Sequence, residues 1–374
     1  MNYKLDQLHK EAYELKLKYR GPCVYFRGLI EISNKCRKNC LYCGIRCGNF
    51  CVQRYEMTDE QVLQEAQFAL DAGYGSVAIQ GGERSDSAFI ERISRLAHHI
   101  RRLQPGGDPL KLLQMAKDTD VISVPQNDLG ITLSLGEQSK DVYKEWFRAG
   151  AGRYLLRIEA SNRELYEKLH PADKLHSYDT RLQALHDLKS TGYLLGSGVM
   201  IGLPFQTGAH LDEDLQFLKN LQVDMVGMGP YIPHKDTPLG QIVEYWKGAR
   251  NTLPDNLVPL ASHPRGDFWN FGNEQLLQLS IDMVARLRIL MPHINIAATT
   301  ALQVLHPDGR EMALLSGANV IMPNMTETSL RGNYSLYEGK QGVADDAAST
   351  RDKLLDNLRR LDIPVGWNRK GDWR

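Results

Sequence analysis

The chain has 374 residues, with 45 lysines plus arginines against 45 aspartates plus glutamates, so its formal net charge is zero. A neutral balance excludes a nucleic-acid-binding tail and a polybasic membrane patch, and no apolar run approaches the roughly 18 residues of a membrane span. The length admits two or more domains, or one large α/β barrel.

In chain order, the charged N-terminus MNYKLDQLHKEAYELKLKYR does not resemble a leader, which makes the cytoplasm the expected compartment. Leu5, Leu8, Ala12, Leu15 and Leu17 recur near helical spacing and predict an amphipathic helix covering one end of the fold. Cys23–Ser33, CVYFRGLIEIS, reads as a buried strand. The cysteine-rich stretch after it holds Cys36, Cys40, Cys43, Cys47 and Cys51. Five of six cysteines in so short a stretch cannot be a disulfide framework, and they point to a metal or cluster site in a reducing compartment.

Thr58 with Gln61 predicts a capping box for a helix running to Ala72, stopped by Gly73. SVAIQ, Ser76–Gln80, reads as the second strand. Helix 86–103 then leads to strand 131–135, helix 139–149 to strand 153–159, and helix 178–191 to strand 196–202. Helix 210–221 leads to strand 224–229, helix 273–290 to strand 294–298, and a short helix 309–316 to strand 318–322. Eight strands alternate with helices, and no antiparallel hairpin is evident.

Such alternation predicts a parallel sheet covered by helices, closed as a single-domain (β/α)8 barrel of TIM type or left as an open doubly wound sheet. The expected division is an N-terminal helical extension 1–22, the barrel 23–340 and a C-terminal helical tail 341–374. Two stretches interrupt the rhythm. Residues 103–130 lie on the N-terminal face of the strands; the long loop 241–272, after strand six, lies on the reactive face and reads equally as a lid or as a plain surface loop.

The spacing Cys36-x3-Cys40-x2-Cys43 lacks the second pair of a zinc site, and its third cysteine sets it apart from a thioredoxin-like CxxC. Three thiolates are one fewer than the four that hold an ordinary iron–sulfur cluster, which leaves one iron free for a ligand that is not protein.

At the end of a barrel's first strand, this spacing resembles that of the radical S-adenosylmethionine enzymes, and Tyr42 before the last cysteine is typical of them. The segments IEISNKCRKNCLYCGIR, TLSLGE, AGRYLLRIE, MIGLPFQT, DMVGMGPYIPHKDTPL, NIAATTAL and GANVIMPN extend the resemblance to the HydE maturases of [FeFe]-hydrogenase. Methylornithine synthase and biotin synthase are relatives with the same cysteine spacing. The resemblance implies one [4Fe–4S] cluster on Cys36, Cys40 and Cys43, with S-adenosylmethionine on the open iron. It places Gly82 and Glu83 at the methionyl amino group, Ser134 along the cofactor, Glu159 at the ribose, Arg181 at the methionyl carboxylate, and Met200 to Leu203 on the adenine. Arg157, Thr299, Thr300 and Tyr337 would face the substrate.

Each position has a plainer reading. Arg181 would be a solvated charge, Glu159 and Arg157 would pair with each other, and Ser134, Thr299 and Thr300 would satisfy backbone groups at the rim. His234 reads as a substrate contact or a stacked structural histidine, and His210 and His306 as surface residues. The sequence departs from the family twice. Thr326–Arg374 has no cysteine for the second cluster that some HydE proteins carry, and Cys47 and Cys51 have no counterpart and read as bystanders; Cys23 reads as a buried apolar residue.

The resemblance implies cleavage of S-adenosylmethionine to a 5′-deoxyadenosyl radical that acts on a small, cysteine-bound iron species carrying carbon monoxide and cyanide. The expected partners are a one-electron donor such as flavodoxin or ferredoxin and the other hydrogenase maturases, with no nucleic acid and no membrane. A methylornithine-synthase-like amino-acid mutase, a sulfur-inserting enzyme and a non-enzymatic iron–sulfur carrier are the alternatives.

Overall fold

In the computed structural model, which describes residues 6–115 and 125–372, local sequence decides where most helices start. Thr58 Oγ1 accepts from Gln61 N while Gln61 Oε1 accepts from Thr58 N, the reciprocal cap expected at the head of helix Asp59–Asp71. Ser139 and Ser177 cap Lys140–Arg148 and Tyr178–Thr191 one way only, their hydroxyls accepting from Val142 N and Thr180 N.

Among the described residues ten strands lie between these helices: β1 (Tyr25–Ser33), β2 (Ser76–Gly81), β3 (Gly130–Ser134), β4 (Arg153–Leu155), β5 (Leu194–Ser197), β6 (Met200–Ile201), β7 (Met225–Val226), β8 (Gly229–Pro230), β9 (Asn295–Ile296) and β10 (Val320–Ile321). Eight form one sheet in the order β10-β1-β2-β3-β4-β5-β7-β9, and the bridge from Ala297 to Val320 joins its two ends. All pairings between named strands are parallel, so the sheet is a (β/α)8 barrel and the open doubly wound alternative falls.

Several expected strands are shorter than their apolar runs, 294–298 and 318–322 among them. Strand 153–159 ends at Leu155, and Glu159 takes a positive φ of 66°, which no strand accommodates. Strand 196–202 divides into β5 and β6, and 224–229 into β7 and β8. The break falls where Gly198 meets Gly227, because a Cβ on Gly198 would lie 2.0 Å from the Gly227 carbonyl. Backbones that close distort the ladder, and β6 and β8 resume as a separate pair.

The floor of the barrel, at the N-terminal ends of the strands, is closed by both ends of the chain. Arg20 donates to Asn295 Oδ1 at 3.0 Å and to the Gly371 carbonyl, and Arg153 Nε donates to Asp372 Oδ1 at 2.9 Å. The N-terminal helix Gln7–Arg20 presents a different face from the one its leucines predict. It buries His9, Ala12, Lys16 and Arg20, whereas Leu17 is exposed. Its inner side is held by polar contacts, His9 Nε2 lying 3.0 Å from Asp282 and Lys16 Nζ donating to the Pro22 carbonyl at 2.7 Å.

Leu5 of that predicted helix and residues 116–124 of the first interruption lie outside the described residues. The second interruption is partly helical: it contains the end of helix Pro238–Trp246 and the short turns Asp255–Leu257 and Val258–Ala261. Trp246 packs edge-on against Phe205 and Trp269, which ties the segment to an apolar cluster around Leu203 on the reactive face. Among the described residues no helix is long and apolar enough to cross a membrane.

Candidate active site

The loop after β1 is held open by its own polar groups. Arg54 donates to the carbonyls of Asn34 and Ile45 at 2.7 Å, of Arg46 at 2.6 Å and of Asn49 at 2.9 Å, so one guanidinium staples both ends of the cysteine stretch. Asn39 accepts from Gly48 N, and Asn49 donates to the Gly44 carbonyl. Within this frame Cys40 is buried and Cys36 and Cys43 are half-buried, whereas Cys47 and Cys51 are exposed. Cys23, expected to be buried, is half-buried, because its strand begins only at Tyr25.

Burial pushes the Cys40 thiol up to about 12 and raises Cys36 and Cys43 as well; Cys43 also feels the sulfurs of Cys40 and Cys36, and Cys40 that of Cys36. The Glu83 N–H donates to Cys36 Sγ at 3.3 Å, a contact that favours thiolate character there. Among the described residues no three His, Cys, Asp or Glu side chains are spaced for a single metal ion. Thiolates at the corners of a polynuclear cluster need no such convergence.

β2 brings Gly82 against this loop. A Cβ there would lie 2.4 Å from the Lys35 carbonyl oxygen and 2.8 Å from Cys36 Cβ, so the contact depends on glycine. The neighbouring Glu83 is buried and committed: Oε1 accepts from Arg37 Nε at 3.0 Å, and Oε2 accepts from Glu137 N at 2.8 Å. Gly136, at φ 77°, leaves the space that the Glu83 side chain fills.

Lys38, Glu137 and Arg181 complete a buried network. Lys38 Nζ lies 2.8 Å from Glu137 Oε2, Arg181 Nε donates to Glu137 Oε1, and Arg181 Nη1 donates to the Arg157 carbonyl at 2.7 Å. Arg181 is therefore not a solvated charge. Glu137 holds its guanidinium well above the ordinary arginine range, while the two cations hold the Glu137 carboxyl below its usual value. Arg37, Lys38 and Arg181 face Glu83 and Glu137, which leaves one positive charge in excess beside the thiols. Arg181 Nη2 donates to none of the described residues.

Tyr42 packs edge-on against His170, whose ring is buried and kept neutral, its pKa lowered to about 3. His170 Nδ1 faces the Tyr166 carbonyl at 2.8 Å, which can only accept, so Nε2 is the acceptor for the Tyr42 hydroxyl at 3.4 Å. Arg157 pairs with Glu159 at 3.0 Å, the plainer of the two readings of that pair, and the Glu159 backbone is strained at positive φ.

Of the three small hydroxyl residues, Thr299 spends its Oγ1 on the Met228 carbonyl at 3.3 Å. Ser134 and Thr300 are half-buried, and their hydroxyls bond to none of the described residues. Met200 is buried in β6, and Leu203 is sealed in the apolar cluster of Phe205 and Trp246. Tyr337 is half-buried at the same rim; burial and Glu31 raise its phenol, and Arg157 and Arg310 oppose that shift. His234 is buried, its Nδ1 accepting from Asp236 N at 3.2 Å, and it packs where a Cβ on Gly44 would meet its ring at 2.6 Å. His210 takes the Thr207 N–H in a cap, and the exposed His306 takes the Asp308 N–H in a turn.

Sequence reasoning passed over Lys38, Arg54 and Glu137. Glu137, in LGE after β3, repeats the position of Glu83, in GGE after β2, and that parallel was the available sign. Arg54 carried no sign, because its partners are backbone carbonyls.

Residues 30–218 match the Radical SAM superfamily. The chain is 40% identical over 335 residues to the [FeFe] hydrogenase maturase subunit HydE of Thermotoga maritima, covering 90% of this chain and 80% of that one. The crystal structure of methylornithine synthase (PylB) superposes with a TM-score of 0.69 at 21% identity, over 98% of this chain and 91% of that one. The maturase HydG from Carboxydothermus hydrogenoformans gives 0.67 at 17%, over 99% and 75%. At such identities these two likenesses establish the fold alone. Membership of the superfamily implies a [4Fe–4S] cluster and S-adenosylmethionine, and the thiol triad, with an N–H on Cys36 and excess positive charge beside it, fits both. The chain is a radical SAM enzyme and belongs to the family of the HydE maturases.

Proposed function

We propose that the chain is a hydrogenase maturase that acts on a small iron species carrying cysteine, carbon monoxide and cyanide, on the way to the di-iron site of [FeFe]-hydrogenase. The observation that carries the hydrogenase-maturation part is 40% identity with HydE across 90% of the chain. The substrate's composition is the finer step, and it follows that relationship.

Cys36, Cys40 and Cys43 would hold one cluster per chain. When bound, it supplies the electron that cleaves S-adenosylmethionine to a 5′-deoxyadenosyl radical. The rest of the work falls to the protein. Gly82 lets β2 approach the cysteine loop, with Glu83 setting the loop's charge balance. Arg181 offers Nη2 to the methionyl carboxylate from a guanidinium already fixed at two points, a geometry suited to a planar anion. Tyr42, Ser134, Glu159, Met200 and Leu203 line the cofactor. Arg157, Thr299, Thr300 and Tyr337 face the substrate inside the barrel, where closure excludes water. A flavodoxin- or ferredoxin-like donor in the cytoplasm would deliver the electron, and the other maturases would hand substrate on and take product away.

Anaerobic reconstitution followed by reduction with dithionite tests this reading. Replacing Cys36, Cys40 or Cys43 by Ala should abolish both the brown chromophore and 5′-deoxyadenosine, whereas Cys47→Ala and Cys51→Ala should keep both. Loss of the cluster in Cys47→Ala would show the ligand set to be wrong. The substrate assignment requires the cysteine-bound iron carbonyl cyanide to raise 5′-deoxyadenosine above background; stimulation by free amino acids instead would favour a mutase.

A further inference from the structure

Two turns that carry proposed contacts to S-adenosylmethionine are both bent into the left-handed region, one with Glu159 at φ 66° and the other with Gly202 at φ 83°. Their backbones meet where Met200 N donates to the Glu159 carbonyl at 2.9 Å. A single carboxylate also serves both. Asp214, in helix Gly208–Leu221, is fully buried. Its Oδ1 accepts from Ser161 N at 2.7 Å and from Ser161 Oγ at 2.6 Å, and its Oδ2 faces Gln206 Nε2 at 3.5 Å, the long contact of the three. Gln206 is buried too, and chemistry fixes which way its amide points. Oε1 accepts from Gly202 N at 2.7 Å and Leu203 N at 3.2 Å, so Nε2 is the end that donates to the Met200 carbonyl at 2.9 Å and turns toward Asp214.

A buried carboxylate without a cation is costly, and Asp214 forms no ion pair among the described residues. On the same helix Asp212 takes Arg286, and Glu213 accepts from Asn162 at 2.9 Å. Burial, with Glu213 and Glu159 as like charges, pushes the Asp214 carboxyl up to about 7 against the pull of the two Ser161 donors. The Tyr178 phenol is a further titratable group beside it, and donates to the Ser161 carbonyl at 2.7 Å. The result is geometric. Ser161, two residues past Glu159, has its N–H, hydroxyl and carbonyl all held.

We propose that Asp214 is a positioning residue for S-adenosylmethionine, holding the Glu159 turn through Ser161 and the Met200–Leu203 turn through Gln206, and so setting how tightly the nucleoside half is bound. The inference rests on reading Glu159 as the ribose contact and Met200–Leu203 as the adenine contact. As a carboxylate, Asp214 accepts from all three donors. Once protonated it gives up an acceptor and the turns loosen, so nucleoside affinity is highest above the carboxyl's pKa and falls as pH drops through it.

The test is equilibrium binding of 5′-methylthioadenosine to the reconstituted holoenzyme. This probe has the adenine and ribose but no methionyl amine or carboxylate, so it neither uses the open iron nor changes its own charge near neutral pH. The wild type should bind it roughly fivefold more tightly at about pH 8 than at about pH 6. D214N, which keeps the shape and loses the charge, should bind roughly tenfold more weakly than wild type at about pH 8 and show no such slope. S161A, which removes only the hydroxyl donor, should fall between, and it carries the test together with the wild-type slope if D214N does not fold. A flat wild-type profile, or wild-type affinity or slope in D214N, overturns the proposal. E159Q separates the two ways of failing: weak binding by E159Q with wild-type binding by D214N sinks the role of Asp214 alone, whereas wild-type binding by both sinks the nucleoside site on which it rests.

Discussion

Arg288 is buried and Arg310 half-buried; both hold their protons less firmly than usual, the first lowered to about 9, and they meet their surroundings in opposite ways. Arg288, toward the floor, donates to the carbonyls of Gly317 and Ile294 at 2.8 Å and of Pro292 at 2.9 Å, and to Asn319 Oδ1 at 3.0 Å. Arg310, at the rim, donates to no described residue. The floor is closed by the chain itself, and a small cavity there, about 10 Å³ between Arg27, Arg153 and Asp372, has room for about one water. At the rim the hydroxyls of Ser134 and Thr300 and the Arg310 guanidinium stand unspent, and beside the floor cavity Arg27 Nε and Thr132 Oγ1 also have no hydrogen-bond partner among the described residues. Unmet polar groups cost stability unless something binds them, so the contrast is between two arginines, one fully spent on backbone carbonyls and one not.

The largest effect that would break this contrast is expected at Gly82. Gly82→Ala places a methyl group against backbone atoms of the cysteine loop, and should cut iron incorporation roughly tenfold while costing about 1–3 kcal/mol of stability. Iron content and the visible chromophore read it out. Full loading would mean that the loop moves aside freely and that the close approach is incidental.

Next in size is the floor. Arg288→Met strands three carbonyls and the Asn319 amide oxygen, and should cost about 3 kcal/mol in urea unfolding, with 5′-deoxyadenosine per folded molecule unchanged. A loss below about 1 kcal/mol would erase the distinction from Arg310.

The smallest effect is a pH dependence that sharpens the picture. His170, under Tyr42, is held neutral with its pKa lowered to about 3, and His99, away from the rim, to about 4. A depressed folded value contributes stability that is present above the unfolded pKa near 6.5 and lost as pH falls toward the folded value. Between pH 7 and pH 5 the buried His170 should therefore cost about 2 kcal/mol. His170→Gln should flatten that part of the stability curve; an unchanged slope would mean that the ring takes its proton while folded.

Much of this was legible in the residues alone. The three-residue and two-residue gaps of Cys36, Cys40 and Cys43 announce a cluster whatever surrounds them, because ligand count and spacing are local properties. The βα alternation and the Thr58–Gln61 cap are equally local, since apolar periodicity and cap chemistry act within one or two turns. The N-terminal helix shows the limit of that reasoning: its leucine stripe predicted one face, and the partner helix Asn273–Leu290 selected another.

What only the tertiary structure decided is which charges meet. Lys38, Glu137 and Arg181 are far apart in sequence yet share one buried network, and that pairing turned Arg181 from an ambiguous helix residue into a fixed one. Asp372 seals a floor begun by Arg27 and Arg153. Sequence patterns record how each residue stands toward the core. The partner across the barrel is set by closure of the sheet, which brings distant strand ends within a few ångströms of one another.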